Sequence, residues 1–411
     1  MGITLLPLLL SVAAGSVPIT VDWERVLVTR SAAPSVLVAA DPEWTPEGKL
    51  SKVAVEGVRS LAVAGADNIR LLNFNIFPEM SVAQFAEGVW NFTRMDDVVV
   101  PFLEAVGNAS VFFDVESSPA WMWEPHNDTI SRERPYGPDT CADDERADLP
   151  PSTAGFYGNR LRCPHWGDTV VPRDRSWKEL ATYFSRISDW YTKGGFTLED
   201  GTKHVSGHFY RIAFWEVWNE VNIGREHNMS ARTYLDYYDA QVRAMQNSPG
   251  GALSKFGGPS LAGVTVPKAD EWAPLLLDPK NHRPESTPFD ALSFHQYCMC
   301  ANRTGAGMEQ AFEGVEGHLD TLRRLQYWRD SLRPMTSLHL TESGLICNAP
   351  PGCGGNNYSC WYTEFDDEYW LASGSHWLYQ YLRSAEAADL ATIAQSQILG
   401  YPHRFDNLSG E

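Results

Sequence analysis

Apolar, strand-like runs that recur along the 411-residue chain, separated by helical patterns, constrain its architecture most. The runs are Pro34–Ala40, Asn68–Phe74, Ser110–Val115, Arg211–Glu220, Phe256–Ser260, Ala291–Tyr297, Ser337–Gly344 and Ala391–Leu399. Helical patterns cover Ala54–Ala66, Asp97–Val106, Trp177–Lys193, Ser230–Gln246, Met308–Leu332 and Asp366–Ala388. Gly194 and Gly195 stop the third of these, and Ser230 caps the fourth. Such alternation implies parallel βαβ units. Two architectures satisfy it, a doubly wound sheet and a closed barrel. No glycine-rich dinucleotide turn follows the first run, so the expected fold is an α/β, (β/α)8 TIM barrel of eight strands.

Little chain follows the eighth run. The barrel is therefore expected to lack its last helix and any C-terminal β-sandwich. Between the third and fourth strands, residues 116–176 form a long irregular stretch rich in Pro, Asp, Arg and Trp. Connections of that length are commonly functional.

The first residues, MGITLLPLLLSVAAGS, combine an apolar run with small residues, with Val12 and Ala14 placed for cleavage. They predict a signal peptide over 1–16 and a catalytic domain over 17–411. The run is shorter than the ~20 residues a membrane span needs, so no membrane partner is expected. Seven N-x-S/T sequons, at Asn91, Asn108, Asn127, Asn228, Asn302, Asn357 and Asn407, fit a secreted glycoprotein, with vacuole or lysosome as other destinations of the same pathway. Of the seven cysteines, Cys141, Cys163, Cys298, Cys300, Cys347, Cys353 and Cys360, most are expected to form disulfide bonds, with one left over. Cys141 and Cys163 lie in one loop region and are candidates to pair. A zinc site is disfavoured by the Cys298-Met-Cys300 spacing. The net charge of −19 argues against a nucleic-acid partner, which would need clustered Lys and Arg.

Catalytic groups of such barrels sit at the C-terminal ends of strands. Three polar clusters hold that position: Asn219–Glu220, His295–Gln296–Tyr297 and Thr341–Glu342–Ser343. A carboxylate ending an apolar strand is costly unless paired. Two of them, 342 − 220 = 122 residues apart on the fourth and seventh strands, suit glycoside cleavage. That chemistry needs one carboxyl group to protonate the leaving oxygen and another to attack or activate water. Glu216 shares strand parity with Glu220 but lies deeper, and is expected to be a buried partner of an arginine.

FWEVWNE followed by VN, and LTESG later, resemble the acid/base and nucleophile strands of the glycoside hydrolase clan with catalytic glutamates on strands four and seven. RLLNFNIFPEM, PAWMW, NEVNIGREHNMS, SFHQY and AQSQILGYP bring the resemblance closest to glycoside hydrolase family 39 and its eukaryotic relatives, from about Asp67 to Pro402. That resemblance implies Glu220 as acid/base, Glu342 as nucleophile and retention through a covalent glycosyl-enzyme. It also implies that Asn219 binds the sugar 2-hydroxyl, that His295 and Tyr297 line the subsite, and that Arg70 favours the ionised nucleophile. It implies no metal and no organic cofactor, and an oligo- or polysaccharide substrate, with β-xylosides first and an α-L-iduronidase-like activity as alternative. NEVN stands here where many relatives have NEP. The rival class is a catalytically inactive carbohydrate-binding barrel. Trp121 and Trp123 read as either sugar platforms or loop packing, Trp377 as helix packing, and His227 as either a substrate contact or a surface residue.

Overall fold

The computed structural model describes residues 32–39, 49–72, 83–84, 87–115, 118–122, 172–222, 229–250, 254–300, 305–347 and 367–396. The leader at 1–16, Trp123, His227, Cys141, Cys163, Cys353, Cys360 and the sequons at Asn127, Asn228, Asn302, Asn357 and Asn407 lie outside these. The strands are β1 (Ala33–Ala39), β2 (Asn68–Leu72), β3 (Ser110–Val115), β4 (Gly195–Thr197), β5 (Lys203–Val205), β6 (Phe214–Val217), β7 (Lys255–Leu261), β8 (Ala291–Cys300), β9 (Ser337–Cys347) and β10 (Leu390–Gln395). The helices are α1 (Lys52–Val63), α2 (Thr93–Ala105), α3 (Lys178–Thr192), α4 (Ala231–Asn247), α5 (Val266–Leu277), α6 (Gly305–Leu332) and α7 (Asp367–Ala387).

Eight strands close into a parallel barrel in the order β1-β2-β3-β6-β7-β8-β9-β10 and back to β1. The expected barrel is therefore present, and each of the eight sequence runs supplies one strand. Helix starts follow local chemistry. The Ser51 hydroxyl accepts from the Ala54 N–H at 3.1 Å, and the Ser230 hydroxyl accepts from the Thr233 N–H at 3.1 Å. No helix among the described residues is long and apolar enough to cross a membrane.

Two elements are additions to the sequence reading. Helix α5 carries Pro267 in its first turn and Pro274 inside, which disguised a regular apolar stripe of Ala269, Trp272, Ala273, Leu276 and Leu277. The antiparallel hairpin β4–β5 has only three residues per strand, too few for an alternating pattern. Its Phe196 packs edge-on against Trp90.

Side chains alternate between the barrel interior and the helix layer. On β3 and β6, Phe113 and Trp215 face outward and meet at 5.2 Å, whereas Phe112 and Phe214 stack inside at 4.5 Å. His339 packs its ring against these two and contacts the Thr392 hydroxyl at 2.8 Å. Above this apolar floor the interior turns polar, with Arg70, Asp114 and Glu216 all buried.

Two backbone irregularities shape the upper rim. On β9, Leu340 pairs with Phe294 but Glu342 pairs with the very next residue, His295, and the β10 side shifts in the same place. Thr341 is thus the extra residue of a β-bulge. Continued alternation from inward His339 would send Thr341 inward and Glu342 out to the helices; the bulge reverses this. At the end of β6, Trp218 and Glu220 take left-handed backbone angles, φ 65° and 46°. Trp218 swings outward onto Tyr237 of α4, 4.5 Å away. The shared parity of Glu216 and Glu220 in the sequence therefore does not position Glu220, because the strand ends between them.

Burial lowers the His339 pKa to about 4. The ring stays neutral in the folded barrel, whereas an unfolded histidine titrates near 6.5. Between those values the unfolded chain binds the extra proton, so stability falls as pH falls. Urea unfolding at pH 7 and pH 4.5 is expected to show a drop roughly 2–3 kcal/mol smaller in His339→Gln than in the wild type. An equal drop in both would contradict a neutral buried ring.

Candidate active site

A single guanidinium organises the polar layer. Arg70 on β2 donates from Nε to Glu216 at 2.5 Å and from one terminal nitrogen to Glu342 Oε1 at 2.6 Å. The other terminal nitrogen meets Asp114 at 3.1 Å, Asn219 Oδ1 at 2.8 Å and Ser260 Oγ at 3.2 Å. Burial opposes the Arg70 charge, but Glu216, Asp114 and Glu342 outweigh it and hold the pKa above its ordinary range. Burial likewise works against an ionised Glu216. The Arg70 charge and hydrogen bonds from Ser260 and Ser293 prevail and lower its pKa. Glu216 is thus the buried arginine partner expected from its depth in the strand.

Glu220 and Glu342 sit at the tops of β6 and β9. One oxygen of each carboxylate and one nitrogen of the His295 ring lie within 4.8 Å of one another. His295 Nδ1 is 2.8 Å from Glu220 Oε1 and 3.5 Å from Glu342 Oε2. Tyr297 donates its hydroxyl to Glu342 Oε2 at 2.7 Å, so both oxygens of Glu342 are held by donors. Burial and the neighbouring Glu342 charge push the Tyr297 pKa well above its ordinary value. Glu220 is the more open of the two acids, its side chain 14% exposed against 9% for Glu342.

Asn219 spends its carbonyl oxygen on Arg70, which leaves its NH2 group as the donor for a ligand. Trp121 has a different setting. Its indole N–H donates to the Gln84 carbonyl at 3.0 Å, and the Arg173 guanidinium covers its ring at 4.8 Å. The Arg173 N–H also donates to the Met122 carbonyl at 2.8 Å, which pins together the two ends of the long connection containing 123–171. These are the contacts of loop packing. Trp377 on α7 packs near Tyr381, with ring centroids 5.6 Å apart.

Three residues of the site escaped the sequence reading. Ser260 links the two halves of the cleft: its carbonyl accepts the Glu220 N–H at 3.1 Å and its N–H donates to Ser293 Oγ at 3.0 Å. It holds a left-handed φ of 53°. Gly258 lets this strand approach β6, since a Cβ there would meet the Tyr234 hydroxyl at 2.2 Å and the Val217 carbonyl at 2.8 Å. Asp114, inside an ordinary strand pattern on β3, gave no signal beyond a carboxylate among apolar neighbours. Cys298 is a free, buried thiol, with burial pushing its pKa up to about 12.

Glu220, His295 and Glu342 are also the one group among the described residues with donor atoms close enough for a metal ion. Arg70 and Tyr297 already occupy both oxygens of Glu342, and His295 Nδ1 faces Glu220, so the donor set is arranged for holding and moving protons.

No protein-family model matches this sequence, and no curated protein matches it. Solved structures do. A glucosidase from Croceicoccus marinus superposes with TM-score 0.50 at 13% identity, covering 90% of this chain and 62% of its own. SrfJ from Salmonella typhimurium superposes with TM-score 0.52 at 10% identity, covering 90% and 66%. This chain spans under two thirds of the length of either. The likeness is one of fold, the closed (β/α)8 barrel.

Replacing Arg70 with Gln would leave buried carboxylates without their counter-charge. The expected loss is about 3–5 kcal/mol of unfolding free energy, measured by urea titration at neutral pH. Removing only one of its partners, in Asp114→Asn, is expected to cost less than half as much. Comparable losses in the two variants would show that Arg70 is not the hub.

Proposed function

We propose that this protein is a retaining glycoside hydrolase acting by double displacement, with Glu220 as acid/base and Glu342 as nucleophile. One observation carries the reading: an oxygen of one carboxylate lies within 4.8 Å of an oxygen of the other, with His295 Nδ1 reaching both groups. Retaining enzymes place theirs ~5–5.5 Å apart, whereas inverting enzymes leave ~6.5–9.5 Å for a water.

The chemistry follows from the contacts. Arg70 and Tyr297 stabilise negative charge on Glu342. Glu220 gives its proton to the glycosidic oxygen while a Glu342 oxygen attacks the anomeric carbon, the bond to the aglycone breaks, and a glycosyl ester forms. Glu220, now a carboxylate, takes a proton from water. The resulting hydroxide equivalent attacks the anomeric carbon, releasing the sugar with its configuration retained and Glu342 as carboxylate. His295 steadies Glu220 through both steps by its Nδ1 contact. Asn219 donates its amide to the sugar 2-hydroxyl.

β-Xylosides are the first substrate in this reading and α-L-iduronides the alternative. The N–H groups of Arg70 are already directed at Glu216, Glu342, Asp114, Asn219 and Ser260, so this cation does not serve a substrate carboxylate. The substrate is an oligo- or polysaccharide or its glycoside fragment. We further propose passage through the secretory pathway, supported by the exposed positions of Asn91 and Asn108 in their sequons.

A panel of aryl glycosides, with product anomers followed by NMR, tests the activity. Turnover with retention is expected, and Glu342→Gln is expected to lose about 10⁴-fold or more in kcat. First-formed product of inverted configuration would sink the mechanism. If wild type and Glu342→Gln both bind oligosaccharide and neither cleaves it, the barrel is a binding protein. Enzymatic removal of N-glycans from protein secreted by a eukaryotic host is expected to lower its mass, and Asn91→Gln with Asn108→Gln to abolish part of that shift. No shift in either case would count against the secretory route.

A further inference from the structure

The two grips on Glu342 are built differently. Arg70 holds Oε1 and is itself fixed by Asp114, Glu216, Asn219 and Ser260. Tyr297 holds Oε2 through a hydroxyl that can rotate about its C–O bond. The same phenol oxygen lies 2.5 Å from Ser396 Oγ, just past the end of β10. We propose that Ser396 is a positioning residue for Glu342, acting through Tyr297 by donating to the phenol oxygen and so holding and polarising the hydroxyl that grips Glu342.

Tyr297 has one proton and two oxygen neighbours. A charged acceptor makes the stronger hydrogen bond, so the proton goes to Glu342. The contact with Ser396 is then a hydrogen bond only if Ser396 donates and the phenol oxygen accepts. The result is a directional chain, from Ser396 Oγ–H to Tyr297 Oη–H to Glu342 Oε2, in which each donor is polarised by the one before it. Burial favours such a chain, and Ser396 is only 7% exposed. The phenol itself stays protonated, because burial and the Glu342 charge keep its pKa high.

The serine is held in place for this task. Its N–H donates to the Ser343 carbonyl at 2.9 Å, and the Ser343 hydroxyl donates to the Ala394 carbonyl at 2.7 Å. Strands β9 and β10 are thus tied immediately beyond the bulge that turns Glu342 inward. Ser396 stands 99 residues from Tyr297, within the AQSQILGYP segment, and nothing in its local pattern marks it.

The functional meaning of this role rests on the double-displacement reading, so the test has an arm independent of activity. Ser396→Ala, Ser396→Thr, Tyr297→Phe and the Ser396→Ala/Tyr297→Phe double variant are compared on an aryl glycoside that the wild type cleaves. Crystal structures of wild type and Ser396→Ala are determined alongside. Ser396→Ala is expected to lower kcat about tenfold with KM changed less than about twofold, and Ser396→Thr to recover most of the loss. In the Tyr297→Phe background the serine change is expected to have no further effect, since both act through one hydroxyl. The Tyr297–Glu342 contact is expected to lengthen from 2.7 Å in Ser396→Ala, because the phenol loses the donor that holds and polarises it. A tenfold loss in both backgrounds overturns the proposal, as does a change in KM only. A water that replaces the serine hydroxyl and leaves the 2.7 Å contact intact overturns it too. Should the wild type cleave no glycoside, the double-displacement reading fails, and the crystallographic distance by itself decides the role of Ser396.

Discussion

The buried guanidinium of Arg70 is the interaction on which the polar half of the barrel depends. A carboxylate taken out of water costs several kcal/mol unless its charge is met. Asp114, Glu216 and Glu342 all converge on the same cation, at 3.1, 2.5 and 2.6 Å. One positive charge cannot neutralise three acids, and hydroxyl groups contribute beside it: Ser260 and Ser293 lower the Glu216 pKa, and Tyr297 donates to Glu342. The arrangement divides labour by depth. Asp114 and Glu216 sit below the cleft and keep the guanidinium flat and charged. Glu342 sits at the rim, where the orientation of that cation determines the orientation of its oxygens.

Both candidate catalytic acids reach the cleft because regular strand geometry fails at the right place. The fourth barrel strand stops at Val217, and left-handed backbone at Trp218 and Glu220 turns Trp218 to the helices and Glu220 to the cleft. The seventh strand gains one residue at Thr341, so Glu342 exchanges the outer face for the inner. Non-glycine residues adopt positive φ at a cost of ~1–3 kcal/mol, which the surrounding structure must outweigh. Here the Glu220 N–H is tied to the Ser260 carbonyl, itself on a left-handed residue. Strain is concentrated where the acid has to be aimed.

These departures explain how far the sequence could be read. Eight strands were legible because short apolar runs, buried on both faces in a parallel barrel, survive any loop length between them. Glu220 and Glu342 were legible through the residues around them, and Glu216 through its depth. Alternation alone does not explain how the two acids come to face inward: counting from the inward His339 would put Thr341 inside, and counting from Glu216 would put Trp218 inside. Bulges and left-handed residues leave little trace in a single sequence when no glycine marks them. Helix α5 was hidden by Pro274 although its apolar stripe was intact. Ser260 and Ser396 were invisible for a different reason. A serine is a common loop and strand residue, and its importance here comes from neighbours 190 and 99 positions away.

The stitch between Met122 and Arg173 carries one more consequence. A backbone hydrogen bond of 2.8 Å, reinforced by the guanidinium lying over Trp121, joins Met122 to Arg173 within the connection between the third and fourth barrel strands. The entropy of closing a loop grows only as the logarithm of its length. Once the neck is fixed, the segment beyond it can lengthen, shorten or change composition at little expense to the barrel below. Sequence change between Met122 and Arg173 is thereby uncoupled from the charge network around Arg70.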